Sequence, residues 1–135
     1  MTPEQKKLVR ESFAKVTPIA PTAAAMFYDR LFVLDPSLRP LFKGDIKEQG
    51  RKLIAMIVTA VGNLDRLDKI LPAIHELGRK HAGYGVKEAD YGTVATALLW
   101  TLEQGLGDDF TPETREAWTA CYGILASEMK GAAAG

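Results

Sequence analysis

His81 follows Leu77 by four residues and Ile74 by seven, which puts it on the apolar stripe of a helix. Just after it, Gly83-Tyr84-Gly85-Val86 reads as a turn that leaves the imidazole open to a flat partner. An imidazole so placed can ligate iron through Nε2. Its Nδ1–H can point back at the Leu77 carbonyl, one turn earlier, and fix the tautomer. A core histidine satisfied by hydrogen bonds is the plainer reading of the same spacing. His75, the other histidine, lies ~120° round the helix beside Glu76 and Arg79 and reads as a surface side chain.

Two more polar side chains interrupt apolar segments. Tyr28 sits between Phe27 and Leu31, where a core tyrosine normally finds a partner for its hydroxyl. Gln49 heads the stripe of Leu53, Met56, Ile57 and Ala60; taken alone it is a helix-end amide facing water. If both face one cavity, they make two donors in an apolar box. Each then stabilises the negative charge on dioxygen bound there by ~1–3 kcal/mol, and every ~1.4 kcal/mol is about tenfold in affinity.

Helices must position these groups. Thr2, Pro3 and Gln5 form an N-cap, first-turn proline and capping box, opening a helix to about Val16. Beyond Pro18 and Pro21 a second helix carries Met26, Phe27, Leu31 and Phe32 to about Leu34, and Asp35-Pro36 starts a short turn through Leu41 and Phe42. Lys43-Gly44-Asp45 reads as a loop before the Gln49-to-Leu64 helix. A further helix spans Leu67 to His81 and stops at Gly83-Tyr84-Gly85. Lys87 to about Leu106 is a long helix, and Thr111-Pro112-Glu113 starts the last one, ending near Met129. The pattern predicts an all-α domain over 1–130 with a disordered tail over 131–135.

Composition narrows the function. Lys plus Arg and Asp plus Glu each number 17, so a neutral chain without a basic block gives no support for nucleic-acid binding. The N-terminus lacks a signal-peptide core, and the longest nearly apolar stretch, Leu53 to Gly62, is shorter than the ~20 residues a bilayer span takes. Cys121 is the one cysteine, which excludes an internal disulfide and covalent haem attachment through Cys-x-x-Cys-His. These features predict a cytoplasmic protein with no membrane partner. Gly83-x-Gly85 lacks the third glycine of a dinucleotide fingerprint, and no Walker loop is present.

Leu77-Gly78-Arg79-Lys80-His81, Gly85-Val86-Lys87, Phe110-Thr111-Pro112-Glu113-Thr114-Arg115, Ala117-Trp118 and Tyr122-Gly123 resemble neuroglobin and bacterial single-domain globins. Phe27-Tyr28, Leu31-Phe32, Pro36 and Leu41-Phe42 resemble Vitreoscilla-type haemoglobin and the globin domain of flavohaemoglobins. The resemblance implies a globin fold, a three-over-three helical sandwich around a non-covalent b-type haem. It implies His81 as the metal ligand, Phe42 stacked on the porphyrin, Tyr28 and Gln49 as distal donors and Leu53 as the apolar gate. Lys52 would reach a haem propionate, though a solvated surface lysine fits the sequence nearly as well. Leu77, Val86, Tyr91 and Val94 would line the proximal side and haem edge, although plain core packing also explains them.

Two departures from the resemblance matter. Neuroglobin's ligating distal histidine is replaced by Gln49, which implies an open, five-coordinate ferrous site; Tyr28 remains an alternative ligand for ferric iron. Flavohaemoglobins pair the proximal histidine with a tyrosine and a glutamate. Tyr91 and Tyr122 match tyrosines of that pattern, but the glutamate's place falls near Ala133, which implies a weaker electron push onto iron. The implied function is reversible binding of dioxygen and other diatomic gases (carbon monoxide, nitric oxide). The alternatives are nitric oxide dioxygenase activity sustained by a separate ferric-haem reductase, and gas or redox sensing.

Overall fold

The computed structural model describes residues 1–42 and 44–134 and contains, among them, helices and turns with no strand. Six α-helices carry the fold: α1 (Pro3–Val16), α2 (Ala20–Leu34), α3 (Ile46–Gly62), α4 (Leu71–Gly83), α5 (Glu88–Leu106) and α6 (Pro112–Ala134). Their starts follow local chemistry. Thr2 and Gln5 exchange the two bonds of the capping box, at 2.9 and 3.1 Å. Asp45 accepts from the Lys47 N–H ahead of α3, and the Thr111 hydroxyl accepts from the Thr114 N–H at the head of α6.

Two boundaries differ from the sequence expectation. The Leu67-to-His81 segment is not one helix: a 3-10 turn over Leu67–Lys69 precedes α4, with Ile70 at φ −105°, ψ 0° between them. Pro72 explains the break, because it cannot donate to a preceding turn and suits the first turn of a new helix. At the other end of the chain, α6 continues through Ala134 where a disordered tail is expected from 131, so the alanines 132–134 propagate the helix. Lys43 of the expected Lys43-Gly44-Asp45 loop lies outside the described residues, as does Gly135.

Helices α1, α3 and α4 lie across α2, α5 and α6, with the main crossings at α4–α6, α2–α5, α1–α6 and α2–α3. One end of the core gathers Val9, Phe13, Val16, Leu102, Leu106 and Trp118. The Trp118 indole donates to the Ser12 hydroxyl at 2.8 Å, leaving no orphaned N–H in that region.

The α4–α6 crossing fixes the helix that carries His81, and Gly78 sets its closeness. A methyl at Gly78 would overlap the Met129 carbonyl oxygen and come within 2.7 Å of the Met129 Cα, both backbone atoms that no rotamer can move. Gly78→Ala is therefore expected to lower stability by about 1–3 kcal/mol, read as a drop in Tm or denaturant midpoint. An unchanged midpoint would mean that α4 and α6 slide apart freely. Gly50, at the α2–α3 crossing, meets only the Ala24 Cβ at 3.1 Å and is the milder site.

Candidate functional site

His81 sits in the last turn of α4, and its main chain is tied down on the far side. The His81 carbonyl accepts from both the Tyr84 and Val86 N–H groups, at 3.1 and 3.0 Å, while Gly85 takes the left-handed turn at φ 96°. The side chain is half-buried and has no hydrogen-bond partner among the described residues, so the expected Nδ1 bond to the Leu77 carbonyl is not formed. Its ring instead faces Tyr91, with centroids 6.3 Å apart. Burial lowers the His81 pKa below the usual histidine range, so the ring is neutral at pH 7 with a lone pair free.

Tyr91 is buried on α5, and the Tyr122 hydroxyl donates to its carbonyl at 2.9 Å. Leu77 and Val86 pack with Ile74, Tyr91 and Met129 in the same cluster, on the His81 side. Val94, expected beside them, belongs to a different cluster with Tyr28, Leu31, Phe42 and Leu53. Val94 and Ala97 lie further along α5, where that helix packs against α2.

The second cluster brings the expected distal residues together. The Tyr28 ring lies 5.4 Å from Phe42, edge to face, and Leu53 of α3 packs beside them. Burial pushes the Tyr28 hydroxyl up to about 12, so it stays a protonated donor. It donates to the Gln49 main-chain carbonyl at 3.3 Å, long for an O–H donor and easily exchanged for a better acceptor. The Gln49 side chain is half-buried and makes no hydrogen bond among the described residues, so the pair meets through main chain rather than as two side-chain donors. Lys52 is exposed on α3 and forms no ion pair among the described residues.

Helices α3 and α4 barely touch, and each leaves an apolar face half covered. In α3 only Gly50 and Ala60 are buried, with Leu53, Met56 and Ile57 partly exposed; in α4 only Ile74 and Gly78 are buried, with Leu71 and Leu77 partly exposed. Apolar faces of this kind stay uncovered only at a cost. A haem fits the residues present: a neutral imidazole with no hydrogen-bond partner among the described residues, and an aromatic and aliphatic cluster that carries a phenol donor.

Two neighbours escape sequence reasoning. His75 is not a free surface side chain: its Nε2 lies 3.0 Å from Glu128 Oε1 of α6. Lys130 of α6 places its ammonium 5.9 Å from the Tyr91 ring centroid. The signal for Lys130 is its four-residue spacing from Ala126 and Tyr122, which becomes visible once α6 is known to run past Met129.

The globin family model matches residues 25–129 of the chain. The chain is 34% identical to the flavohemoprotein of Bacillus subtilis, covering 82% of this chain and 28% of that protein. It is 31% identical to the neuroglobin of Danio rerio, covering 96% of this chain and 90% of that protein. The chain thus spans little more than a quarter of the flavohemoprotein and nearly all of the neuroglobin. A solved structure superposes with a TM-score of 0.90 at 25% identity, covering 99% of this chain and 94% of that one. It is an engineered carbene transferase made from a proposed nitric oxide dioxygenase of Rhodothermus marinus.

Proposed function

The chain belongs to the globin family, and we propose that it binds dioxygen reversibly at a non-covalent haem b held by His81. When bound, the haem supplies an iron whose open position takes a diatomic gas: dioxygen, carbon monoxide or nitric oxide. His81 holds the group from α4 in its neutral form. Phe42, Leu53, Leu77, Val86, Tyr91 and Val94 exclude water from its faces and edge, and Lys52 meets a propionate at the solvent side. Tyr28 turns its proton from the Gln49 carbonyl to the ligand, with the Gln49 amide as second donor. The observation that carries this reading is the Tyr28 hydroxyl: buried, protonated and held by one weak bond in an apolar cluster.

Nitric oxide dioxygenation is the second reading, favoured by the flavohemoprotein relative and by the parentage of the Rhodothermus structure. Dioxygen, nitric oxide and one electron make one nitrate, so each turnover needs an electron from a ferric-haem reductase acting as partner. The pocket can hold dioxygen for this reaction with the same two donors.

We also place the protein in the cytoplasm. Cys121 is the one cysteine of the chain, and burial pushes its thiol up to about 11, which leaves it unreactive. Among the described residues no helix is long and apolar enough to cross a membrane.

The test is the absorption spectrum of haem-loaded, reduced protein. A five-coordinate ferrous spectrum that shifts reversibly with dioxygen and with carbon monoxide is expected. A six-coordinate ferrous spectrum would mean that a side chain closes the site, and dioxygen storage would be abandoned for redox or sensor work. Steady-state nitric oxide consumption with added reductase separates the two readings, since a carrier reacts once per molecule and stops.

A further inference from the structure

Tyr122, Ala126 and Lys130 recur at four-residue spacing on the face of α6 that meets Tyr91. The Tyr122 hydroxyl fixes the Tyr91 main chain, and two turns later the Lys130 ammonium covers the Tyr91 ring at 5.9 Å. Tyr91 in turn lies against His81. Lys130 and His81 therefore share Tyr91 as a common neighbour in one stack, with the imidazole tilted 56° to the Tyr91 ring. Beside them runs a groove lined by Ala82, Val86, Glu88, Tyr91, Lys130 and Ala133. Glu88 is its one carboxylate, and Lys130 forms no ion pair with it or with any other described residue.

From this stack we propose that Lys130 is a positioning residue for redox poise, weakening His81 as an electron donor and favouring ferrous iron. The inference rests on the assignment of His81 as the iron ligand. Two physical effects combine. A positive charge near the imidazole draws the ring's electron density toward itself, so the ring gives less electron density to iron. The same charge raises the energy of the ferric state more than that of the ferrous state, by plain Coulomb repulsion. No carboxylate within hydrogen-bond reach of the imidazole offsets it among the described residues. For a gas carrier the consequence is useful, because only the ferrous form takes dioxygen.

The experiment is the midpoint potential of haem-loaded wild type, Lys130→Met, Lys130→Glu and Lys130→Arg at low ionic strength. The potential is expected to fall in Lys130→Met, to fall further in Lys130→Glu and to stay near wild type in Lys130→Arg. The iron–histidine stretching frequency of the ferrous form should rise in the same order. Lys130 lines an open groove, so raising the salt should shrink the difference between wild type and Lys130→Met, a response that lost packing would not give. Unmoved potentials in Lys130→Met and Lys130→Glu, with the His81-dependent spectrum intact, overturn the inference alone. A wild-type spectrum indifferent to His81→Ala overturns the ligand assignment and this inference with it.

Discussion

Haem-loaded His81→Ala is expected to lose the five-coordinate ferrous spectrum and to release its haem at least 100-fold faster than wild type, a loss of about 2.7 kcal/mol in binding. The other histidine cannot take over. His75 is on another face of α4 and is paired with Glu128 across the α4–α6 contact. His75→Ala should accordingly keep the wild-type spectrum, which makes the pair of variants internally controlled. Thermal unfolding gives a second readout. A group that binds only the folded chain stabilises it, by about 2.7 kcal/mol when present at 100 times its Kd. Haem should thus raise the Tm of wild type and His75→Ala, and raise that of His81→Ala little or not at all. An equal rise in all three would place the iron ligand elsewhere in the chain.

His81 is legible in the amino-acid sequence because three local signals coincide there: an apolar helical spacing, a glycine turn and a family-like sequence around it. Helix starts are legible for the same local reason, as Thr2, Asp45 and Thr111 show. What stays hidden depends on contacts between residues far apart in the chain. His75 looks solvated from Glu76 and Arg79, which pair with each other, yet its real partner is Glu128, 53 residues away. The resemblance groups Val94 with Tyr91 at the proximal side and haem edge, whereas in the fold Val94 packs with Tyr28, Phe42 and Leu53. Lys130 escapes notice because the apolar pattern ends its helix near Met129, just before it, whereas α6 runs to Ala134. Periodicity identifies which face of a helix is apolar; it does not say which of two neighbours that face meets.

Tyr28 is where sequence and structure together predict the largest functional change. Tyr28→Phe removes one hydroxyl and keeps the ring that packs edge to face against Phe27 and Phe42. Among the described residues the bond lost from the fold is the 3.3 Å contact to the Gln49 carbonyl, so stability should fall little. Dioxygen loses the phenol donor and keeps only the Gln49 amide. A loss of ~1–3 kcal/mol makes release about 5–150-fold faster, measured by displacing dioxygen with carbon monoxide after rapid mixing. Carbon monoxide release should change much less, because that ligand carries little negative charge for a donor to stabilise. Gln49→Leu should speed dioxygen release as well, but less, since its amide is half-buried and not anchored by any hydrogen bond among the described residues. The Tyr28 effect should also be flat with pH. The donor is the protonated phenol, whose pKa burial raises from 10.0 to about 12, so the hydroxyl keeps its proton throughout the neutral and mildly alkaline range. Unchanged dioxygen release in both variants would remove the distal pair from the mechanism. Equal acceleration of dioxygen and carbon monoxide would instead make Tyr28 a steric gate, with the hydroxyl acting by its bulk and not by its proton.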